Sequence, residues 1–124
     1  MVMLAYGTVG SNDLEKAKAF YDALMACAGA GKMFDHPSGG CFYGKDGSPF
    51  FGVLGPYDKR AATVGNGSMF AFRFDSREAV DKFYAKAIAL GGTDEGVPSD
   101  RGQQMYFSYF RDLDGNKLCA YCVG

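Results

Sequence analysis

A shift of 63 residues lays the second half of this 124-residue chain on the first. Under it Glu15 falls on Glu78, Phe20 on Phe83, Tyr21 on Tyr84, Ala26 on Ala89 and Gly29 on Gly92, while Asn12 falls on Asp75. The two halves also share an order of signals. Each opens with a short apolar run, Val2 to Val9 or Met69 to Phe74, which reads as a strand. A capping pair follows, Asn12 with Glu15 or Asp75 with Glu78, whose side chains satisfy the free backbone donors of a helix start. Apolar residues then recur at three- and four-residue spacing: Leu14, Ala17, Phe20, Tyr21, Leu24 and Met25 in one half, Val80, Phe83, Tyr84, Ala87 and Ile88 in the other. Ala28-Gly29-Ala30-Gly31 and Gly91-Gly92 stop these helices.

After the first helix, strands are expected near Lys32–Asp35, Cys41–Tyr43 and Phe50–Leu54, parted by turns at Pro37-Ser38-Gly39-Gly40 and Lys45-Asp46-Gly47-Ser48-Pro49. After the second, a strand near Thr93–Val97 and a polar loop at Ser99–Gln103 lead into two aromatic-rich runs flanking Asp112-Leu113-Asp114-Gly115-Asn116. Asp-Gly and Gly-Asn between apolar runs mark a hairpin, with Gly115 supplying the positive φ of the turn. The pattern is a duplicated β-α-β-β-β unit. A half of about sixty residues is marginal at burying its own sheet, so the two are expected to pack together. Gly55 to Gly67, holding Pro, Asp, Lys, Arg and three Gly, reads as the connector. Module one spans about 1–55, the connector 56–67 and module two about 68–124.

Bulk properties exclude several functions. Net charge is -1 with Lys and Arg scattered, which disfavours a nucleic-acid or anionic-membrane partner. No apolar run is long enough to span a membrane, and the N-terminus lacks the basic start of a signal peptide. Four cysteines in a chain of this size suit a reducing cytoplasm better than a disulfide framework.

The hairpin turn resembles the C-terminal one of the vicinal oxygen chelate superfamily: glyoxalase I, the bleomycin-resistance proteins and the extradiol dioxygenases. There the turn usually reads Asp-Pro-Asp-Gly-Asn, with a metal-binding Glu three residues after the Asn. Here Leu113 stands in place of Pro and Cys119 in place of that Glu. The paired modules resemble the same superfamily over essentially the whole chain. The resemblance implies an α+β fold forming an open eight-stranded cup with two helices outside, a single domain over 1–124, and a homodimer.

Strand alternation assigns faces. Phe70, Phe72 and Phe74 should meet the second helix, leaving Met69, Ala71 and Arg73 on the cup side; Tyr6 and Thr8, with Leu4, follow by the 63-residue shift. Leu118, Ala120 and Cys122 should likewise meet a helix, leaving Cys119 and Tyr121 inside. The family's parity adds Phe107 and Tyr109. Metal-binding relatives carry His on strands one and five, Glu or Gln on four and Glu on eight. The matched positions hold Tyr6, Met69 and Cys119, and Phe50-Phe51-Gly52-Val53 offers no ligand at the fourth-strand position whichever residue occupies it. Zn²⁺, Ni²⁺, Mn²⁺ or Fe²⁺ would need imidazole and carboxylate there, so no metal or other cofactor is expected. The thioether, thiol and phenol left would suit Cu(I) by type, yet Met and Cys are also ordinary core residues.

Other candidates have plain readings beside them. Cys119-Ala120-Tyr121-Cys122 is formally a C-x-x-C, but on a strand residues three apart face opposite ways, so the sulfurs should neither pair nor chelate together. His36, the single histidine, sits before Pro37 in a turn and reads as a surface or capping residue. Arg73 between Phe72 and Phe74 requires either an internal acidic partner or an anionic ligand. The expected function is a metal-free binder of a small molecule, held by Tyr6, Met69, Arg73, Phe107, Tyr109, Cys119 and Tyr121. Two alternatives stand beside it: a glyoxalase-like lyase or thiol-conjugating enzyme using non-standard residues, and a structural domain whose cup is filled by its own side chains.

Overall fold

The computed structural model describes residues 2–124. The chain divides into two compact units, Met1–Val64 and Gly65–Gly124. In the first, the order is β1 (Gly7–Gly10), α1 (Leu14–Cys27), β2 (Gly31–Asp35), β3 (Cys41–Lys45) and β4 (Ser48–Leu54). In the second it is β5 (Phe70–Arg73), α2 (Arg77–Ala89), β6 (Thr93–Asp100), β7 (Met105–Arg111) and β8 (Lys117–Val123). The sheets share one topology, β1-β4-β3-β2 and β5-β8-β7-β6, each with a parallel first pair and antiparallel remaining pairs. The expected α+β class, built on a repeated β-α-β-β-β unit, is the one found.

Each helix starts one residue later than its sequence signal. Asp13, not Asn12, caps α1, its Oδ1 accepting from the Lys16 backbone N–H at 3.2 Å. Ser76, not Asp75, caps α2, its Oγ accepting from the Ala79 N–H at 3.1 Å. Glu15 and Glu78 therefore sit second in their helices, too early to close a capping box. Asn12 is occupied elsewhere: its side chain accepts from the Ala62 N–H at 2.7 Å and donates to the Ala62 carbonyl at 3.1 Å, holding the connector. Asp13 and Ser76 are themselves 63 residues apart, so the repeat survives the correction. At the other end α2 is one residue shorter, and the left-handed stop glycine matching Gly29 (φ 75°) is Gly91 (φ 104°) rather than Gly92.

The helical stripes form the cores. Ala17, Phe20, Tyr21, Leu24 and Met25 are buried in the first unit, with the Tyr21 ring 5.0 Å from Phe51 and the Tyr43 hydroxyl donating to Asp22 at 2.7 Å. Val80, Phe83 and Ala87 are buried in the second, where Phe83 meets Phe72, Phe74 and Phe110 at 5.6, 4.9 and 5.9 Å. Each buried Phe, Leu, Met or Val among them contributes about 1.5–3 kcal/mol of transfer free energy.

Two strand boundaries differ from expectation. Val2 to Tyr6 lie outside β1, because pairing with β4 begins only at Gly7 opposite Phe51 and an apolar run makes no ladder without a neighbour. Conversely β6 runs on through Ser99 and Asp100, into the expected loop: Ser99 pairs with Phe107 and Asp100 with Tyr106, and Arg77 holds Asp100 at 2.8 Å. Pro98 is tolerated there because β6 is an edge strand and its register shifts between Gly96 and Ser99.

The hairpin turn is organised by Asp112, which is buried. Its Oδ1 accepts from the Asp114 and Asn116 N–H groups, and its Oδ2 from the Asn116 amide, all at 2.9 Å. Gly115 takes φ 92°. Asp112→Ala strands these donors, one of them on a buried backbone nitrogen, and is expected to destabilise the protein by about 2–4 kcal/mol, measurable by urea denaturation.

Candidate functional site

Because the helix covers one face of the second sheet, the ladder fixes what stands on the other. Cross-strand partners lie in rows: Arg73, Tyr121, Phe107 and Ser99 in one, Ala71, Cys119, Tyr109 and Gly96 in the next, Lys117 and Arg111 beyond. Phe72 and Phe110, one residue out of step, contact Phe83 on the helix side. The second-sheet residues Arg73, Phe107, Tyr109, Cys119 and Tyr121 thus share one face. Phe107 stacks on Tyr121 at 4.7 Å and 15°, and lies 6.2 Å from Tyr109. Met69 is just outside β5 and exposed.

Three cations border these rings. Arg73 is exposed and its side chain, among the described residues, has no hydrogen-bond or ion-pair partner, so an internal salt bridge is not its role. Arg101 and Lys117 both lie over Tyr109, with Cζ at 5.5 Å and Nζ at 5.3 Å from the ring centroid. Sequence reasoning missed this pair. Lys117 has the parity of Cys119 and Tyr121, which was signal enough; Arg101 follows a bulged strand, where counting faces fails. Arg111 is different, because Glu95 accepts from its Nε at 2.5 Å and the Gly115 carbonyl from a second nitrogen at 2.8 Å.

Cys119 belongs to this face by register but is fully buried. Burial pushes its thiol up to about 11, against the opposing pull of Lys117 and Arg101, so it is protonated at neutral pH. Cys122 is buried on the helix-side parity, and all four cysteines are free thiols.

The first unit's corresponding face is built differently. Phe42, buried, pairs with Gly52, and a Cβ on Gly52 would come within 2.9 Å of the Phe42 ring. Tyr6 packs edge-on against Phe42 at 5.1 Å, and Phe34 stacks on it at 5.1 Å. Leu4, expected beside Tyr6, is 81% exposed. His36 is tied into its turn, with Nδ1 accepting from the Ser38 N–H at 3.1 Å.

Ladder register also gives Cys119 a counterpart in the first unit. Thr8 pairs with Gly52 as Ala71 pairs with Cys119, so Gly52 is the counterpart of Cys119. Tyr6, Gly52, Met69 and Cys119 offer neither imidazole nor carboxylate. Among the described residues no three His, Cys, Asp or Glu side chains stand close enough to hold an ion.

Two like-ordered mixed sheets, each with one helix, define a protein of paired β-α-β-β-β units. The chain belongs to the Glyoxalase/Bleomycin resistance protein/Dioxygenase superfamily, whose model matches residues 4–120. It is similar to a glyoxalase/bleomycin resistance protein from Albidiferax ferrireducens T118, with 42% identity over 98% of each chain and a TM-score of 0.88. The fold is also shared with lactoylglutathione lyase from Agrobacterium tumefaciens (20% identity, 98% of this chain and 94% of that one, TM-score 0.72). A third such structure is the fosfomycin resistance protein FosX from Listeria monocytogenes (20% identity, 98% and 93%, TM-score 0.70). No curated protein matches the sequence. No helix among the described residues is long and apolar enough to cross a membrane.

Thiol accessibility gives a direct check. Cys27 alone is exposed, so a thiol-disulfide reagent at pH 7.5 should modify Cys27 in the native protein and reach Cys41, Cys119 and Cys122 only after denaturation. Peptide mapping after oxidation should find no Cys119–Cys122 crosslink, since bridging needs Cβ atoms within about 4.5 Å and these residues face opposite sides of β8.

Proposed function

We propose that the protein binds a small molecule, without a catalytic metal, on the helix-free face of its second sheet. The observation that carries this reading is Arg73: an exposed guanidinium with no internal carboxylate, in the same ladder row as the stacked Phe107–Tyr121 pair. A charged fork beside a flat aromatic floor suits a ligand with a polar head and an apolar body. Tyr109 extends the floor, Cys119 lies beneath it as buried filler, and Met69 borders it.

Metal independence is supported by the residues at the matched positions. Thioether, buried thiol, phenol and glycine replace the borderline donors that Zn²⁺, Ni²⁺, Mn²⁺ or Fe²⁺ require. The same thiol argument weakens a thiol-conjugating reading, because protonated, enclosed Cys119 is no nucleophile at neutral pH. Four free thiols, three of them buried, suit a reducing cytoplasm, and the family resemblance makes a homodimer the expected assembly.

Elemental analysis of the purified protein should find well under one divalent transition metal per chain; one Zn, Ni, Mn or Fe per chain would overturn metal independence. Arg73→Met should leave folding stability within about 0.5 kcal/mol of wild type, since no partner charge is stranded. In a thermal-shift screen of aromatic carboxylates, hits on the wild type should lose about 1.5–3 kcal/mol of binding in this variant. A loss of several kcal/mol in folding stability instead would mean that Arg73 neutralises a buried acid and not a ligand.

A further inference from the structure

Arg101 and Lys117 both approach one ring, that of Tyr109, and neither brings an acidic partner with it. Both lie within 5.5 Å of the Tyr109 centroid. Neither takes part in an ion pair among the described residues. The Arg101 side chain spends only Nη2, in a long 3.5 Å hydrogen bond to the Val97 carbonyl, which leaves most of its five donors unused. The backbone makes room for this arrangement. Gly96 stands opposite Tyr109 in the ladder, and a Cβ there would sit 3.1 Å from both Arg101 Nη2 and Tyr109 Cδ2. Glycine at this position lets the guanidinium lie down beside the ring.

Like charges gathered in this way repel unless an anion joins them. We infer that Arg101 and Lys117 form a binding site for an oxyanion group, a carboxylate, phosphate or phosphonate, on a ligand whose aromatic ring lies along Phe107 and Tyr121. This rests on the proposal that the second-sheet face binds a ligand, and it adds that ligand's chemical class: an aryl oxyanion. The aromatic floor runs continuously from the charge pair, since Tyr109 lies 6.2 Å from Phe107 and Phe107 4.7 Å from Tyr121. A planar ring can therefore rest on the Phe107–Tyr121 stack while its charged substituent reaches the Tyr109 end. The guanidinium fork favours a trigonal or tetrahedral oxyanion over a halide, because two parallel N–H donors can meet two oxygens.

The test titrates the full chain with phenylphosphonate and, separately, with neutral benzyl alcohol, following backbone amide shifts by NMR. Phenylphosphonate should shift Gly96, Tyr109 and Lys117, and should bind at least about ten-fold more weakly to Arg101→Gln and to Lys117→Gln, the loss expected for one charge-assisted contact. Lys82→Gln, on the exposed outer side of α2, should bind as wild type does. Should either site variant fold poorly, salt serves on the wild type: affinity should fall several-fold from 20 mM to 300 mM NaCl, and a flat salt response overturns the inference. Equal binding of benzyl alcohol at the same amides overturns the charge assignment while leaving the face a binder. No shift from either compound on Phe107, Tyr109 or Tyr121 overturns the underlying proposal as well.

Discussion

One helix can cover only one face of a four-stranded sheet, and each unit of this protein has one helix. Everything chemically suggestive in the chain follows from that shortage. In the second unit Phe83 gathers Phe72, Phe74 and Phe110 on the covered side. The pleat then obliges Arg73, Tyr121, Phe107, Tyr109 and Lys117 onto the other side, with no freedom to rotate away without turning the core residues outward as well. The aromatic packing against α2 is thus what orients the cations, although it touches none of them.

Much of this was legible because it depends on period alone. A 3.6-residue stripe names eight residues that the helices bury, with Leu14, Tyr84 and Ile88 left half-buried at its margins, and a two-residue alternation names which face of each strand meets the helix. Boundaries were less legible, for local reasons. At both helix starts the sequence offers two adjacent capping residues, Asn12-Asp13 and Asp75-Ser76, and the second of each pair wins. For Asn12 the physical cause is visible, since its amide carries both backbone bonds to Ala62 in the connector. A contact fifty residues away leaves no trace in a capping pattern.

The site was legible in part, and the division follows the same line. Residues on regular ladders could be assigned a face, but β6 carries register shifts on both sides of Gly96, so parity is lost before it reaches Arg101. Net charge misled in another way. A total of -1 with scattered basic residues describes the chain as a whole, whereas the ladder brings Lys117 directly opposite Arg111. Opposed like charges are unfavourable across a strand pair. Glu95 neutralises Arg111, and Lys117 turns to the π-face of Tyr109, so one cation of the pair is settled by the protein and the other remains available.

The two units have parted most where they are topologically most alike. Gly52 and Cys119 occupy the same place in their ladders. In the first unit the Phe42 ring lies so close over Gly52 that even a methyl group there would collide with it. Tyr6 and Phe34 pack against that ring, each still about half exposed. In the second unit Cys119 withdraws into the interior, the rings above it stack along the sheet instead of plugging it, and charges collect at their edge. The helix-free face of the first unit is thus a ring cluster around a glycine, whereas that of the second is a row of stacked rings bordered by cations.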